Sequence, residues 1–243
     1  MKKLFLISLF SSLLFSASSE QIEQYLSISK ADAQLVSIEQ VFDSMRQNQE
    51  REDNNSQEIN QIYRKYLEEH LSSNELEELL ALYRTPIMQR YVVEMESSIS
   101  KEDMSAFLKD LEENPLTTER LDIVDNILKL TVKEDEILAF YKSMTQRYRK
   151  ASKKSDNNQT IKPTKQEQQY VEMVKEGTKN ELLYGLQVLS IEEMKELKSA
   201  LESAVISKAS KIESEAMIHV MNQFIQGITS KPQAKVQETN STL

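Results

Sequence analysis

The side chains that could perform acid–base or metal chemistry are few and widely spaced. The chain has two histidines, His70 and His219, and no cysteine. Neither histidine stands in a Glu-x-x-His or His-Glu-x-x-His spacing, which argues against the carboxylate-bridged metal sites of helical bundles and against zinc proteases. His70 lies near the end of a predicted helix, where the helix dipole favours a cation, and His219 lies between two apolar residues. Both are interpreted as structural, so the sequence predicts no catalytic residue, no metal site and no cofactor.

Carboxylates are numerous, and they offer the one enzymatic interpretation of the chain. Pairs such as Glu77-Glu78 could serve a glycosidase, but on a helix such pairs usually form a solvated face. The three glycines are isolated from one another, which excludes a glycine-rich phosphate loop, and no Gly-x-Ser-x-Gly elbow is present. The sequence therefore favours a protein without enzymatic activity, and a hydrolase that uses carboxylates is an alternative.

The first twenty residues, MKKLFLISLFSSLLFSASSE, have the pattern of a secretory signal peptide. Lys2 and Lys3 form a positive start, an apolar run of about a dozen residues follows, and small residues stand where a signal peptidase cleaves. The run is short for a membrane span, which needs roughly twenty residues; an uncleaved anchor helix is the alternative. We predict a signal peptide over residues 1–18, cleavage near Ser18 or Ser19, and a periplasmic mature chain.

The composition favours helices over sheets. Only 3 glycines and 4 prolines occur in 243 residues, whereas sheets need turn residues and β-branched runs. Hydrophobic residues make up 39% of the chain, which is enough for a core, and the net charge of -9 argues against nucleic acid as a partner. We predict an all-α helical bundle, with coarse helices at 20–30, 33–49, 57–70, 100–113, 117–130, 132–150 and 165–188. Thr131 and Glu134 are expected to form a capping box before the sixth of these.

The stretch LSSNELEELLALYRTPIMQR, residues 71–90, reads as two helices joined at a Thr-Pro pair. Ser72 and Glu75 have the spacing of a reciprocal capping box. Thr85 is then expected to cap a second helix with Pro86 at its first position, where proline fits. The Tyr-Arg-Thr-Pro element, Tyr83 to Pro86 with Arg84 inside it, is interpreted as a corner in the core; a groove for a partner helix or peptide is the alternative.

A looser copy of this layout returns at residues 189–208, LSIEEMKELKSALESAVISK, at a constant spacing of 118 residues. A second pair, VFDSMRQ at 41–47 and FYKSMTQ at 140–146, is spaced by 99 residues. A polar insertion at 149–165, predicted to be a flexible loop, accounts for the difference. We predict two related halves, residues 20–114 and 116–230, with a disordered tail at 231–243. The alternative is that Leu-, Glu- and Lys-rich helices resemble each other by composition.

The capped stretch also resembles a known family. The run Glu75-Leu76, Leu79-Leu80 and Leu82 to Pro86, followed by Arg90, is similar to a signature of exported bacterial proteins, E-L-x-x-L-x-x-F/Y-Y before Ser/Thr-Pro and a basic residue. That family is a domain of unknown function, number twenty fifty-nine. Met88 stands where the family often has glycine. The resemblance implies a periplasmic helical domain and carries over no catalytic residues.

A basic cluster and three asparagines are the remaining candidates for function. The cluster could contact an anionic envelope surface, although cations at a helix end before a loop are the preferred interpretation. Its members are Arg147, Arg149, Lys150, Lys153 and Lys154. Three asparagines match an extended bacterial glycosylation sequon, with an acidic residue two before and Ser or Thr two after, and glycosylation there is an open alternative. They are Asn54, Asn158 and Asn240.

These observations predict binding or scaffolding of an unidentified protein or peptide through a helical surface. The first alternative is a chaperone-like envelope-maintenance factor, which needs a groove lined by Met and Leu and open to solvent. The second is the hydrolase, which needs a concave site where several carboxylates meet Tyr or His.

Overall fold

A computed structural model describes residues 17–33, 35–36, 55–96, 99–151 and 163–230. Ten α-helices and no β-strand lie in these ranges, which confirms the predicted all-α helical bundle. The helices are α1 (Ser19–Ser29), α2 (Asn55–His70), α3 (Ser73–Tyr83), α4 (Pro86–Glu96), α5 (Lys101–Glu113), α6 (Thr118–Thr131), α7 (Glu134–Ala151), α8 (Lys165–Gly185), α9 (Ile191–Leu201) and α10 (Ala204–Ser230). A short 3-10 turn, Leu186–Val188, joins α8 to α9. Residues 1–16 of the predicted leader, the predicted tail and most of the predicted helix at 33–49 lie outside the described residues, whereas Ser18, the last residue of the predicted leader, caps α1.

Capping boxes start several helices. Ser72 with Glu75 opens α3 as predicted, and α1, α8 and α9 begin with the same reciprocal bonds. The box predicted at Thr131 is wrong: Thr131 ends α6, and its hydroxyl donates to the carbonyl of Ile127 at 3.1 Å. Two residues of chain, Val132 and Lys133, separate α6 from α7. The N-cap position of α7 is Lys133, so Thr131 lies two positions too early to cap that helix.

The corner between α3 and α4 keeps one apolar interior on both sides. Leu76 before the corner and Ile87 after it are 0% and 6% exposed. The Thr85 hydroxyl donates to the carbonyl of Leu82 at 2.7 Å, so it closes the end of α3, where the sequence predicted a cap on α4. Pro86 does occupy the first position of α4, where its missing N–H costs no hydrogen bond.

Helices early and late in the chain interleave in one core. α10 packs on α2, α3 and α7, and α8 packs on α4, α5, α6 and α7. α1 packs on α2, α3 and α4, and α9 packs on α4 and α6. No helix in the described ranges is both long enough and apolar enough to cross a membrane.

Helix starts recur at the two spacings found in the sequence. α1 and α6 start 99 residues apart, at 19 and 118. α3 and α9 start 118 residues apart, at 73 and 191, and so do α4 and α10, at 86 and 204. Their packing is exchanged, because α4 lies on α8 and α9 while α10 lies on α2 and α3.

Arg120 ties α6 to the turn between α8 and α9. Its guanidinium donates to the carbonyl of Leu186 at 3.0 Å and to that of Leu189 at 2.7 Å. Both residues are only 1% exposed, so these carbonyls have little access to water. The sequence offered no signal for this contact, since an arginine in the first turn of a helix is ordinarily solvated.

We expect Arg120→Met to lower the free energy of unfolding by about 2 kcal/mol, because two charge-assisted hydrogen bonds to buried carbonyls are lost. Urea unfolding followed by circular dichroism measures the change. The control is Arg84→Met, at an exposed arginine of the α3–α4 corner, which should stay within about 0.5 kcal/mol of the native chain. Equal losses in both variants would contradict the role assigned to Arg120.

Candidate functional site

An open groove of about 900 Å³ lies where α4 ends and α5 begins, with α8 at its side. Four apolar side chains line it: Met95 of α4, Ile99 in the connection, and Met104 and Leu108 of α5. All four residues are partly exposed, so apolar surface faces solvent here. Carboxylates and lysines border these apolar side chains.

Local sequence explains why the groove forms. Ser100 caps α5 by accepting a hydrogen bond from the amide of Asp103 at 3.0 Å, which starts a new helix after Glu96. No such start occurs 118 residues later, because α10 runs unbroken through that position, Ile218. Gly185 of α8 leaves room for the Met95 side chain, since a Cβ there would lie 2.9 Å from the sulfur, whereas the carbonyl oxygen of Glu94 at 3.5 Å would be in ordinary contact.

Helix α5 is incompletely covered. None of its residues is fully buried, and it lies against α8 with the ring of Phe107 edge-on to that of Tyr184, their centroids 5.2 Å apart. Met104 and Leu108 are four residues apart and therefore share a face of the helix. An apolar stripe of this kind, which α8 covers only in part, leaves contact area for another molecule.

The rim of the groove carries net negative charge. Carboxylates of Glu94, Glu96, Glu112 and Glu181 and the ammonium groups of Lys101 and Lys109 line it. Within the described residues, Glu96 forms an ion pair with Lys30 at 3.4 Å. The carboxyl end of α4 and the amino end of α5 both border the groove, so the partial charges of the two helix dipoles oppose each other there.

Two ion pairs connect helices across the exchanged packing. Arg90 of α4 pairs with Glu193 of α9, and Lys208 of α10 pairs with Glu75 of α3. The two pairs are related by the spacing of 118: Lys208 lies 118 residues after Arg90, and Glu193 lies 118 residues after Glu75. Burial raises the pKa of Glu75, but hydrogen bonds, first from Lys208, outweigh it and lower the pKa overall. Each glutamate thus closes the start of its own helix and also ties that helix to a distant one.

A buried polar cluster lies between α10 and the first three helices. The hydroxyl of Tyr25 donates to the carboxylate of Glu213, and Tyr63 and Tyr83 lie nearby. Desolvation raises the pKa of Glu213 from 4.5 to about 7; the bond from Tyr25 opposes this shift, and the charge of Glu136 adds to it. Tyr25 is 1% exposed, so the cluster belongs to the interior and does not line the groove.

Both histidines lie against one tyrosine, which sequence reasoning did not foresee. The ring of His70 stacks on that of Tyr66 with centroids 3.9 Å apart, and the ring of His219 lies 5.2 Å away on another side. The Tyr66 hydroxyl is 3.5 Å from a carboxylate oxygen of Glu215. His219 therefore adds to the packing of α10 on α2, whereas His70 is exposed and contacts Tyr66 within α2. Their spacing in the sequence, 149 residues, hid this contact.

The other predicted site residues do not form part of the groove. Tyr83 packs edge-on against Tyr25 with centroids 5.8 Å apart, and Arg84 is exposed at the corner. None of the residues from Tyr83 to Pro86 lines the groove described here, and the alternative that they receive a partner stays a prediction. The predicted glycosylation residues and Lys153 and Lys154 lie outside the described residues, as do the side chains of Arg147, Arg149 and Lys150.

Within the described ranges, no group of three or more histidine, aspartate or glutamate side chains is arranged to hold a metal ion. No protein-family model matches the chain, and no curated protein and no solved structure is significantly similar to it. The resemblance to the exported family therefore stays a prediction.

Proposed function

We propose that this is an exported, periplasmic binding protein without enzymatic activity, which holds the apolar face of a partner segment in the α4–α5 groove. The observation that carries the proposal is the row of partly exposed Met95, Ile99, Met104 and Leu108 in a concave surface. Contiguous apolar surface open to water marks an interaction site more often than a single exposed side chain does. Export is supported by the signal-peptide pattern of residues 1–18.

Methionine suits such a groove because its unbranched, polarizable side chain adapts to partners of different shape. Two of the four apolar side chains are methionines, and both lie at the point where two helices meet. This feature favours the chaperone-like alternative, a factor that holds exposed apolar segments, over a scaffold with one fixed partner.

The same spacings and the paired salt bridges support a second element of the proposal, that the two halves arose by tandem duplication. Matching helix starts, capping boxes at Ser72 and Ser190, and matching ion pairs all occur at a spacing of 118. On this proposal the groove is the place where the halves have diverged, because one has a break after Glu96 and the other a continuous α10.

A peptide-binding measurement tests the proposed function. The chain contains no tryptophan, so a single Trp in an uncharged amphipathic Leu/Gln peptide reports its own burial without background. We expect saturable binding with a blue shift of the Trp emission. The double variant Met104→Ser with Leu108→Ser should weaken binding about tenfold or more, because it removes apolar contact worth about 2 kcal/mol.

The matched control is Met173→Ser, which removes a methionine that is 60% exposed on α8 and does not line the groove. It should bind the peptide as the native chain does. No saturable binding by the native chain, or equal binding by both variants, would contradict a binding role for the groove.

A further inference from the structure

We propose that the partner segment is a cationic amphipathic helix, which lays its apolar face on Met104 and Leu108 and its basic residues toward the rim of the groove. This inference rests on the binding function proposed above and adds the chemistry of the partner.

The volume of the groove is comparable with that of a short helix. Two turns of an α-helix about 10 Å across occupy roughly 850 Å³, which is close to the groove volume of about 900 Å³. Met104 and Leu108, four residues apart on α5, form a ridge of the kind that packs between the side chains of a facing helix. On the partner, apolar residues at positions i, i+3, i+4 and i+7 would meet this ridge.

The charges of the rim select the sign of the partner. Glu94 lies at the end of α4, Glu112 lies in the last turn of α5 and Glu181 faces them from α8, so carboxylates border the groove from three helices. Lys101 and Lys109 offset only part of this charge. Lysines or arginines flanking the apolar stripe of a partner helix can therefore pair with the rim, whereas glutamates there would be repelled.

The helix ends at the groove contribute opposing partial charges. The carboxyl end of α4 beside Glu94 favours a basic residue, whereas the amino end of α5 at Lys101 disfavours one, and Glu96 is already paired with Lys30. The contacts that select a basic partner are therefore those with the side chains of Glu94, Glu112 and Glu181. Such contacts stay near the surface and are weakened by salt. The charge selectivity should therefore fall as the ionic strength rises.

The test compares two 14-residue amphipathic peptides with the same leucine face and one Trp, one carrying lysines and the other glutamates on the polar face. Binding to the full chain is measured by Trp emission at about 50 mM and 500 mM salt. We expect the lysine peptide to bind at least tenfold more tightly at low salt, and the difference to shrink at high salt.

A charge reversal separates recognition from a structural effect. Glu112→Lys with Glu181→Lys should weaken the lysine peptide and strengthen the glutamate peptide, which loss of folding cannot do. Glu77→Lys with Glu78→Lys, two exposed positions on α3 away from the groove, is the control and should change neither.

Two results would overturn the inference in different ways. Equal affinity for the two peptides would leave the groove as an apolar binding site and contradict the cationic partner. Binding of neither peptide, nor of the uncharged peptide above, would contradict the proposed function as well.

Discussion

Between pH 4.5 and pH 7.5 the native chain is expected to lose up to about 3 kcal/mol of unfolding free energy that the Glu213→Gln variant keeps. The pKa of Glu213 is about 7 in the folded protein and 4.5 as the reference for an unfolded carboxyl group. The neutral form is thus favoured by folding. Its contribution to stability is complete below pH 4.5 and is lost as the pH rises through about 7.

The size of this effect is an upper value for two physical reasons. The residue keeps part of its surface in solvent, and Tyr25 donates a hydrogen bond that favours the charged carboxylate. The charged groups that face Glu213 include Glu136 of α7, and Tyr63 and Tyr83 lie against it from α2 and α3. Ionisation of Glu213 therefore occurs with few compensating positive charges.

Urea unfolding of both proteins at pH 4.5, 6.0 and 7.5 measures the effect, with the difference between the two curves as the readout. Glutamine keeps the shape and the neutral state of the protonated side chain. The unfolding free energy of the variant, relative to that of the native chain, should therefore increase as the pH rises. Glu196→Gln, at an exposed carboxylate of α9, is the control and should follow the native curve. A native curve that runs parallel to that of the variant would show that Glu213 titrates normally.

Met88→Ala should destabilise the fold by about 2–5 kcal/mol. The side chain of Met88 is 0% exposed in the core beneath the α3–α4 corner, so alanine leaves a cavity that the surrounding helices can fill only in part. Met173→Ala makes the same chemical change at a side chain that is 60% exposed and should cost less than about 0.5 kcal/mol. Thermal and urea unfolding compare the two, and similar losses would show that Met88 is not a packed core residue.

Met88 also shows how far the sequence could be interpreted. Periodicity and capping residues predicted the helices on both sides of the corner, because these signals act over three or four neighbouring residues. Methionine at helical spacing is more often a core residue, although it also suits an adaptable surface, and Met88 is buried. Its burial depends on which helices cover α4, namely α8 and α9, and that pairing is set by contacts about 100 residues apart.

The site shows the same division between local and distant information. The sequence predicted a helix at 100–113, and α5 spans Lys101–Glu113. The groove itself depends on the packing of α8 against α4 and α5, and local patterns do not indicate which helices pack together. The pKa of Glu213 was equally hidden, because its neighbours Tyr25, Tyr63 and Tyr83 lie more than 120 residues away in the chain.

The exchanged packing of α4 and α10 has a consequence for cooperativity. Each of these helices covers elements from the other end of the chain, so α10 cannot detach without exposing α2 and α3, nor α4 without exposing α8 and α9. Local opening on one side therefore strips cover from the other, and partly unfolded forms expose two apolar surfaces at once. An arrangement of this kind resists piecemeal proteolysis and favours loss of structure in a single step.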